Sequence, residues 1–198
     1  MRILIAGLLG AVAMFLWTFI AHMVTPLGSI GISQIPNEAQ VMGDVQSGIT
    51  RPGFYLFPWV DPNDPQMMEK SETLTKLHGT GYLAYTPPGM GTMEASNMSP
   101  QLIIEFLKQF VQTTVAALLV SMMLGLSFMG RVGAVTLTGV IAGIATNVSY
   151  WNWYGFPLDY TVAQLFIEVV SAFASGLAIA WWLGRPMKPK AQPAMATA

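Results

Sequence analysis

The chain has 198 residues, of which 53% are hydrophobic and 10% are charged, and its mean hydropathy is +0.51. A soluble domain carries roughly 25% charged residues, so this chain lacks the polar surface that a globule needs in water. The net charge of −1 gives no basis for binding nucleic acid, and the absence of cysteine excludes disulfides and thiolate metal sites. With two histidines, a multi-histidine metal site is not expected either, and we predict neither a metal nor a cofactor.

Four apolar segments are long enough to cross a bilayer, which takes about 20 helical residues. The first occupies residues 1–24, and its apolar run is longer than the roughly 7–15 residues of a signal-peptide core. No small-residue cleavage pair follows it, which favours a retained helix over a signal peptide. The other three are expected within residues 101–184, at about 101–129, 132–148 and 161–183. The sequence therefore predicts an all-α integral membrane fold, a four-helix transmembrane bundle.

Residues 25–100 form a small extramembrane insert between the first and second transmembrane helices. The insert holds seven of the ten carboxylates and the turn signals "TRPGF", "DPNDP" and "TPPGMG". We expect one short helix from Asn37 to near Gly48, a second over about 66–77 and an extended segment at 81–85. The polar tail at 185–198 is expected to be disordered.

Basic residues at the ends of the predicted spans indicate the orientation. They are Arg2, Arg131, Arg185, Lys188 and Lys190. With four spans, all five lie on one side of the membrane, and the positive-inside rule assigns that side to the cytoplasm. The insert and the connector between the last two spans then lie on the opposite side.

That connector, "SYWNWYGFPLDY" at 149–160, is rich in aromatic residues. Trp and Tyr concentrate where lipid headgroups meet water, because the ring prefers hydrocarbon and its N–H or O–H prefers a polar partner. The predicted outer anchors are Tyr150, Trp151, Trp153, Tyr154 and Tyr160, around a turn at 155–157, and the inner ones are Trp181 and Trp182. A groove for a partner protein or a lipid headgroup is the alternative interpretation of the connector.

Small residues at helical spacing predict close contacts between the third and fourth spans. They are Gly139, Gly143, Ala172 and Gly176. These residues are expected to seal the bundle within one chain, with homodimerisation as the alternative.

Polar residues gather toward the outer ends of the spans and define a candidate polar pocket. Its members are His22, Glu105, Lys108, Gln112, Asn147, Gln164 and Glu168. Glu168 should lie on the order of 12 Å below the outer surface, where a carboxylate is costly, so it is expected to face the bundle and pair with Lys108 or His22. Glu105 and Lys108, three residues apart, are also spaced to pair with each other. An interhelical plug, a ligand pocket open to the outer face and a proton relay or acid–base pair remain alternatives.

Several strings resemble, in order, those of a family of small uncharacterised bacterial inner-membrane proteins. The strings are "PNEAQV", "PGFYLFPW", "MSPQLIIEFLKQF" and "YWNWYGFP". The resemblance spans nearly the whole chain and is most distinctive in "YWNWYGFP". It implies a multi-pass protein of the bacterial inner (plasma) membrane, with cytoplasmic termini and a periplasmic insert, and it implies no catalytic residues.

The function that we expect from these features is that of a non-enzymatic accessory or scaffold subunit of a membrane complex. The alternative is a module that binds or transports a small ligand, a lipid or a quinone through the polar pocket. The expected partners are membrane lipid and either another membrane protein or further copies of this chain.

Overall fold

The computed structural model describes residues 1–91 and 97–186 of a mostly helical chain. Apart from its first two residues, the tail that was expected to be disordered lies outside these residues. Within the described residues, four helices are long and apolar enough to cross a membrane, which agrees with the number of predicted spans. The four are Arg2–Val24, Ser99–Met122, Phe128–Tyr154 and Leu158–Leu183.

The first span consists of α1 (Arg2–Phe19) and a π-helical turn (Ile20–Val24), and a 3₁₀ turn (Pro26–Ser29) follows it. The insert contains α2 (Glu38–Gly48), β1 (Gly53–Phe57), α3 (Met67–His78) and β2 (Gly81–Tyr85). The remaining spans comprise α4 (Ser99–Met122), α5 (Phe128–Gly143), a π-helical turn (Ile144–Val148), α6 (Ser149–Tyr154) and α7 (Leu158–Leu183).

The boundary predicted between the second and third spans was wrong. Helix α4 ends at Met122 instead of continuing to residue 129, and Gly125 lies in the connection with φ +75°. A positive φ is readily adopted only by glycine, which has no Cβ. The next helix begins early because the Ser127 hydroxyl accepts a hydrogen bond from the amide of Gly130 (3.1 Å), as an N-cap residue does.

The aromatic connector is helical over half its length, contrary to the predicted end of the third span at residue 148. Helix α6 continues the third span to Tyr154 and ends at Gly155, whose φ is +69°. The turn predicted at 155–157 is confirmed. The fourth span begins at Leu158, directly after Pro157, three residues earlier than predicted.

A small sheet corrects the all-α prediction. Strands β1 and β2 pair antiparallel, with a register from Gly53 opposite Tyr85 to Phe57 opposite Gly81. The extended segment at 81–85 was predicted, whereas its partner strand β1 was not. Because α3 lies between the two strands in the chain, they form a sheet without a tight hairpin turn.

The chain divides into two compact units, which we call the bundle unit and the insert unit. The bundle unit comprises Met1–Ile20, Glu105–Ile141 and, among the described residues, 168–186. The insert unit comprises Ala21–Ile104 and Ala142–Ile167, and so includes the insert and the adjoining ends of the spans.

Small residues allow close helix contacts in the bundle unit. A Cβ added at Gly139 would lie 2.3 Å from the Cβ of Ala172, and one at Gly176 would lie 3.0 Å from the carbonyl oxygen of Val132. Three of the four residues predicted to mediate contact between the third and fourth spans, Gly139, Ala172 and Gly176, thus lie where these helices approach closely. Gly143, the fourth, lies in the insert unit and is buried.

The first span contributes two further close contacts that the sequence analysis did not identify. A Cβ added at Gly7 would lie 2.2 Å from the hydroxyl of Thr114, and one at Gly10 would lie 2.8 Å from the hydroxyl of Ser175. A core cluster completes this packing and comprises Ala6, Ala116, Ala117, Val120, Val135 and Ile179. The first span is thus tightly packed against both the second and the fourth.

Candidate functional site

Four polar side chains of the bundle unit form one hydrogen-bonded network between α1 and α4. The Lys108 amine lies 2.7 Å from the Glu105 carboxylate, so the pairing of these two residues is confirmed. The amide nitrogen of Gln109 donates to the same carboxylate (2.9 Å) and to the hydroxyl of Thr18 (3.1 Å). The network therefore links an ion pair on α4 to the Thr18 hydroxyl of α1 through the Gln109 amide.

Gln109 lies at the centre of this network, although the candidate pocket did not include it. Its side chain is only 1% exposed, and one turn later the Thr113 hydroxyl donates to the carbonyl oxygen of Gly7 (2.7 Å). Glu105, Gln109 and Thr113 follow each other at intervals of four residues, so they share one helix face. That spacing is a signal from which the sequence could have identified Gln109.

The other pocket candidates of the bundle unit, Gln112 and Glu168, are half-buried. Lys108 was one of two partners predicted for Glu168, but it forms its ion pair with Glu105. On the same face of α7, Ser171 and Ser175 are buried, at 3% and 0% exposure. Polar groups thus continue along α7 into the core of the bundle unit.

Three pocket candidates belong to the insert unit. His22 lies in the π-helical turn against Gly28, where an added Cβ would approach its ring carbon Cδ2 to 2.7 Å. Asn147 is 8% exposed and donates to the carbonyl oxygen of Gly143 in its own helix (3.1 Å), while Gln164 is half-buried. The Asn147 amide hydrogen bond is therefore local, and it stabilises the wide π-helical turn.

Within the insert unit, Tyr154 of the aromatic connector packs on one face of the small sheet. Phe54 and Tyr82 stack on that face with ring centroids 5.0 Å apart. The Tyr154 ring meets both edge-on, at 5.8 Å from Phe54 and 4.9 Å from Tyr82. Edge-to-face pairs at these distances are favourable beyond the area that they bury. The connector is thus a packing element for the sheet, in addition to its predicted role as an interfacial anchor.

Of the other aromatic rings of the connector, some pack against each other and two are exposed on the surface. The ring centroid of Phe156 lies 5.2 Å from that of Tyr150 and 5.4 Å from that of Tyr160. Trp151 and Trp153, in contrast, are 46% and 74% exposed. Exposed indole rings are the ones suited to lipid or to a partner protein.

At the other end of α7, Trp181 and Trp182 lie beside arginines of the bundle unit. The guanidinium of Arg185 lies 3.7 Å from the ring centroid of Trp181 and 5.0 Å from that of Trp182. The indole N–H of Trp182 donates to the carbonyl oxygen of Arg2 (3.1 Å). The predicted inner anchors thus also join α1 to α7.

An apolar groove of about 790 Å³ lies in the insert unit, at the start of α7. Its lining residues are Leu27, Ile30, Leu158, Asp159, Val162, Ala163 and Phe166. None of them belongs to the candidate polar pocket. The volume is within the range of about 300–1,000 Å³ that is usual for small-molecule sites.

The "DPNDP" segment before α3 contains Asp64, whose pKa differs from the usual aspartate value. The pKa of Asp64 lies below its usual value because Lys70 and the amide of Gln66 hydrogen-bond its carboxylate. The Asp61 carboxylate accepts from the amide of Asn63 (2.9 Å), which tightens the same turn. Hydrogen bonds thus define this loop on an otherwise exposed surface.

No protein-family model, no curated protein and no solved structure matches the chain. Within residues 1–91 and 97–186, no group of three or more histidine or carboxylate side chains is placed to hold a metal ion.

Proposed function

We propose that this chain is a non-enzymatic accessory or scaffold subunit of a membrane complex in the bacterial inner membrane. In this proposal both termini are cytoplasmic, the insert is periplasmic, and the sheet of the insert unit contacts the partner protein.

The observation that carries the proposal is an apolar face of the sheet that Tyr154 covers only in part. Phe54, Leu56 and Tyr82 share this face, since alternate strand residues point to the same side. They remain 60%, 37% and 37% exposed, and Trp153 on the adjoining α6 is 74% exposed. Contiguous exposed apolar surface of this kind marks sites of interaction with proteins or membranes.

The polar side chains of the spans support a structural role. Glu105 pairs with Lys108, Gln109 bonds to Thr18 across two helices, and Asn147 bonds to its own helix. Buried polar groups stabilise a helix bundle in lipid when they are satisfied by one another. The bond from Gln109 to Thr18 joins two spans, and the other two interactions satisfy polar groups within one helix, so all three serve the structure of the bundle.

Site-specific photo-crosslinking in native membranes tests the proposal. Phe54 is replaced by p-benzoylphenylalanine, which retains an aromatic ring at the apolar face. The control places the same residue at Lys76 of α3, whose side chain is 71% exposed but lies beside Glu72 on a charged surface. Leu56→Glu in the crosslinking chain then introduces a charge into the same face.

We expect one discrete protein adduct from position 54, lost with Leu56→Glu, and none from position 76. The same partner should copurify in a fixed ratio in mild detergent. Recovery of only the free monomer, with crosslinks from position 54 confined to lipid, would contradict the scaffold function.

The apolar groove at the start of α7 favours a second candidate function, the binding of a lipid or another apolar small molecule. Its lining is almost wholly apolar, as such sites usually are. Ala163→Phe would fill the groove, and Val111→Phe, on an exposed position of α4, is the matched control. A bound apolar molecule detected by mass spectrometry and lost only with Ala163→Phe would support this function; equal retention in both variants would contradict it.

A further inference from the structure

Three arginines from different segments converge on the carboxyl end of α7 in the bundle unit. The guanidinium of Arg2 donates to the carbonyl oxygen of Leu183, which ends α7 and has no partner within the helix, and to that of Arg185, two residues beyond the helix. A Cβ added at Gly184 would lie 3.4 Å from Nη1 of Arg131, so the Arg131 side chain reaches the same point. We call Arg2, Arg131 and Arg185 the arginine end.

The carboxylates of the bundle unit are far from the arginine end within the described residues. Within the described part of the bundle unit the carboxylate side chains are Glu105 and Glu168. Helical rise separates Glu168 from Leu183 by about 22 Å along α7, and Glu105 from the far end of α4 by about 25 Å. The ion pairs among residues 1–91 and 97–186 are formed by lysines, at Lys70, Lys76 and Lys108.

The helix terminus offsets only part of this positive charge. A helix carboxyl end carries the equivalent of about half a negative charge, and Arg2 binds its carbonyls directly. Arg131 is half-buried and Arg185 is exposed, with the Arg185 guanidinium held over the Trp181 ring. The Arg185 guanidinium is thus held in place by an aromatic ring, and among the described residues neither Arg131 nor Arg185 forms an ion pair with a carboxylate.

We propose that the arginine end binds the phosphate of an anionic phospholipid headgroup. Arg131 and Arg185 contact the phosphate, and Arg2 is a positioning residue that fixes the end of α7 between them. Guanidinium groups present paired N–H donors that match phosphate oxygens. Basic pockets between transmembrane helices are a known way of holding anionic headgroups. Trp181 is 51% exposed beside the arginines, and tryptophan is a residue type that is enriched at the level of the headgroups. The inference rests on the spans lying in lipid and does not depend on the scaffold function.

Retention of phosphatidylglycerol by the full chain tests the proposal. The purified protein is exchanged from nanodiscs of equal parts phosphatidylglycerol and phosphatidylcholine into detergent, and the lipids that remain bound are counted by native mass spectrometry. The test variant combines Arg131→Gln with Arg185→Gln in one chain. The control is Arg51→Gln, which makes the same change at an exposed arginine of the insert unit. A parallel arm titrates inorganic phosphate against the retained lipid.

Wild type and Arg51→Gln should retain phosphatidylglycerol in preference to phosphatidylcholine. In the double variant this preference should fall by about tenfold or more, because charge-assisted hydrogen bonds to the phosphate are lost. Inorganic phosphate should compete weakly, because it lacks the acyl chains. Equal retention by wild type and the double variant would overturn the proposal, as would equal loss with Arg51→Gln. Binding of inorganic phosphate without a preference for phosphatidylglycerol would overturn the assignment to lipid.

The charge-conserving pair Arg131→Lys with Arg185→Lys guards against misfolding or a changed membrane orientation. It keeps the positive charge at this end of the bundle but removes the paired donors. We expect wild-type helicity by circular dichroism and a retention between those of wild type and the glutamine variant. Wild-type helicity with retention as low as that of the glutamine variant would show that charge alone does not hold the lipid, which also supports specific guanidinium contacts. Retention equal to or above that of wild type would contradict such contacts.

Discussion

Replacing Gly139 by alanine should destabilise the bundle unit, because no space exists for a methyl group there. The new Cβ would lie 2.3 Å from the Cβ of Ala172 and 3.3 Å from the carbonyl oxygen of Glu168. Carbon atoms in favourable contact are about 3.5–4.0 Å apart, so α5 and α7 would have to separate by roughly 1.5 Å. Overpacking of this kind typically costs about 1–3 kcal/mol.

The chain offers a matched control on the same helix. A Cβ added at Gly133 would meet nothing within 4 Å, and Gly133 is exposed. Gly133→Ala therefore makes the same chemical change without the clash and slightly favours the helix. The free energy of unfolding in mixed micelles, measured by circular dichroism as dodecyl sulfate is added, should be lower for Gly139→Ala than for Gly133→Ala by about 2 kcal/mol.

A second substitution tests whether the contact with Ala172 is the cause. Ala172→Gly removes the atom that a methyl at position 139 would strike, so combining it with Gly139→Ala should restore most of the lost stability. Pairs in contact show coupling energies of about 0.5–3 kcal/mol in such cycles. Equal stability of the two single alanine variants, or no rescue by Ala172→Gly, would refute this account of the contact between α5 and α7.

Two further predictions concern the insert unit. Tyr154→Ala removes both of its ring contacts with the sheet and should speed amide hydrogen exchange in β1 and β2 by about tenfold. Trp153→Ala should leave this exchange unchanged, and equal effects of the two substitutions would contradict the packing role of Tyr154. The pKa of Asp64 is lowered in the folded protein, so ionised Asp64 stabilises the fold. This stabilisation is fully present above the usual aspartate pKa and is lost as the pH falls through the lower pKa that Asp64 has in the folded protein. Lys70→Met should raise the NMR titration midpoint of Asp64 toward the usual value, and an unchanged midpoint would show that Lys70 is not the cause.

Segment length and apolarity were sufficient to predict the four spans, but not where each one ends. The apolar run from residue 101 to 129 reads as one helix, because hydropathy carries no information on the positive φ of Gly125 or the N-cap hydrogen bond of Ser127. Strand β1 was missed for a related reason. Its five residues become a strand by pairing with β2 across the intervening α3, and no local signal specifies that pairing.

Residue spacing predicted one contact of the candidate site but not its long-range contacts. The pair of Glu105 and Lys108 follows from an interval of three residues, which the sequence shows directly. The bond from Gln109 to Thr18 joins residues 91 positions apart, and the packing of Tyr154 on Phe54 joins a connector to a strand across about half of the chain. Such contacts depend on how the helices and the sheet come together, which periodicity alone does not determine.

The proposed topology requires that the four spans lie in hydrocarbon and that the arginine end lies on the cytoplasmic side of the membrane, opposite the insert. The chain has no cysteine, so single cysteines report location without background. Asn63→Cys lies in the insert, and Leu124→Cys lies between α4 and α5 at a position that is 93% exposed. In intact cells a membrane-impermeant maleimide should label Asn63→Cys alone, and Leu124→Cys should react only after the membrane is opened. Labelling of both in intact cells, or recovery of the protein in the soluble fraction without detergent, would contradict the account.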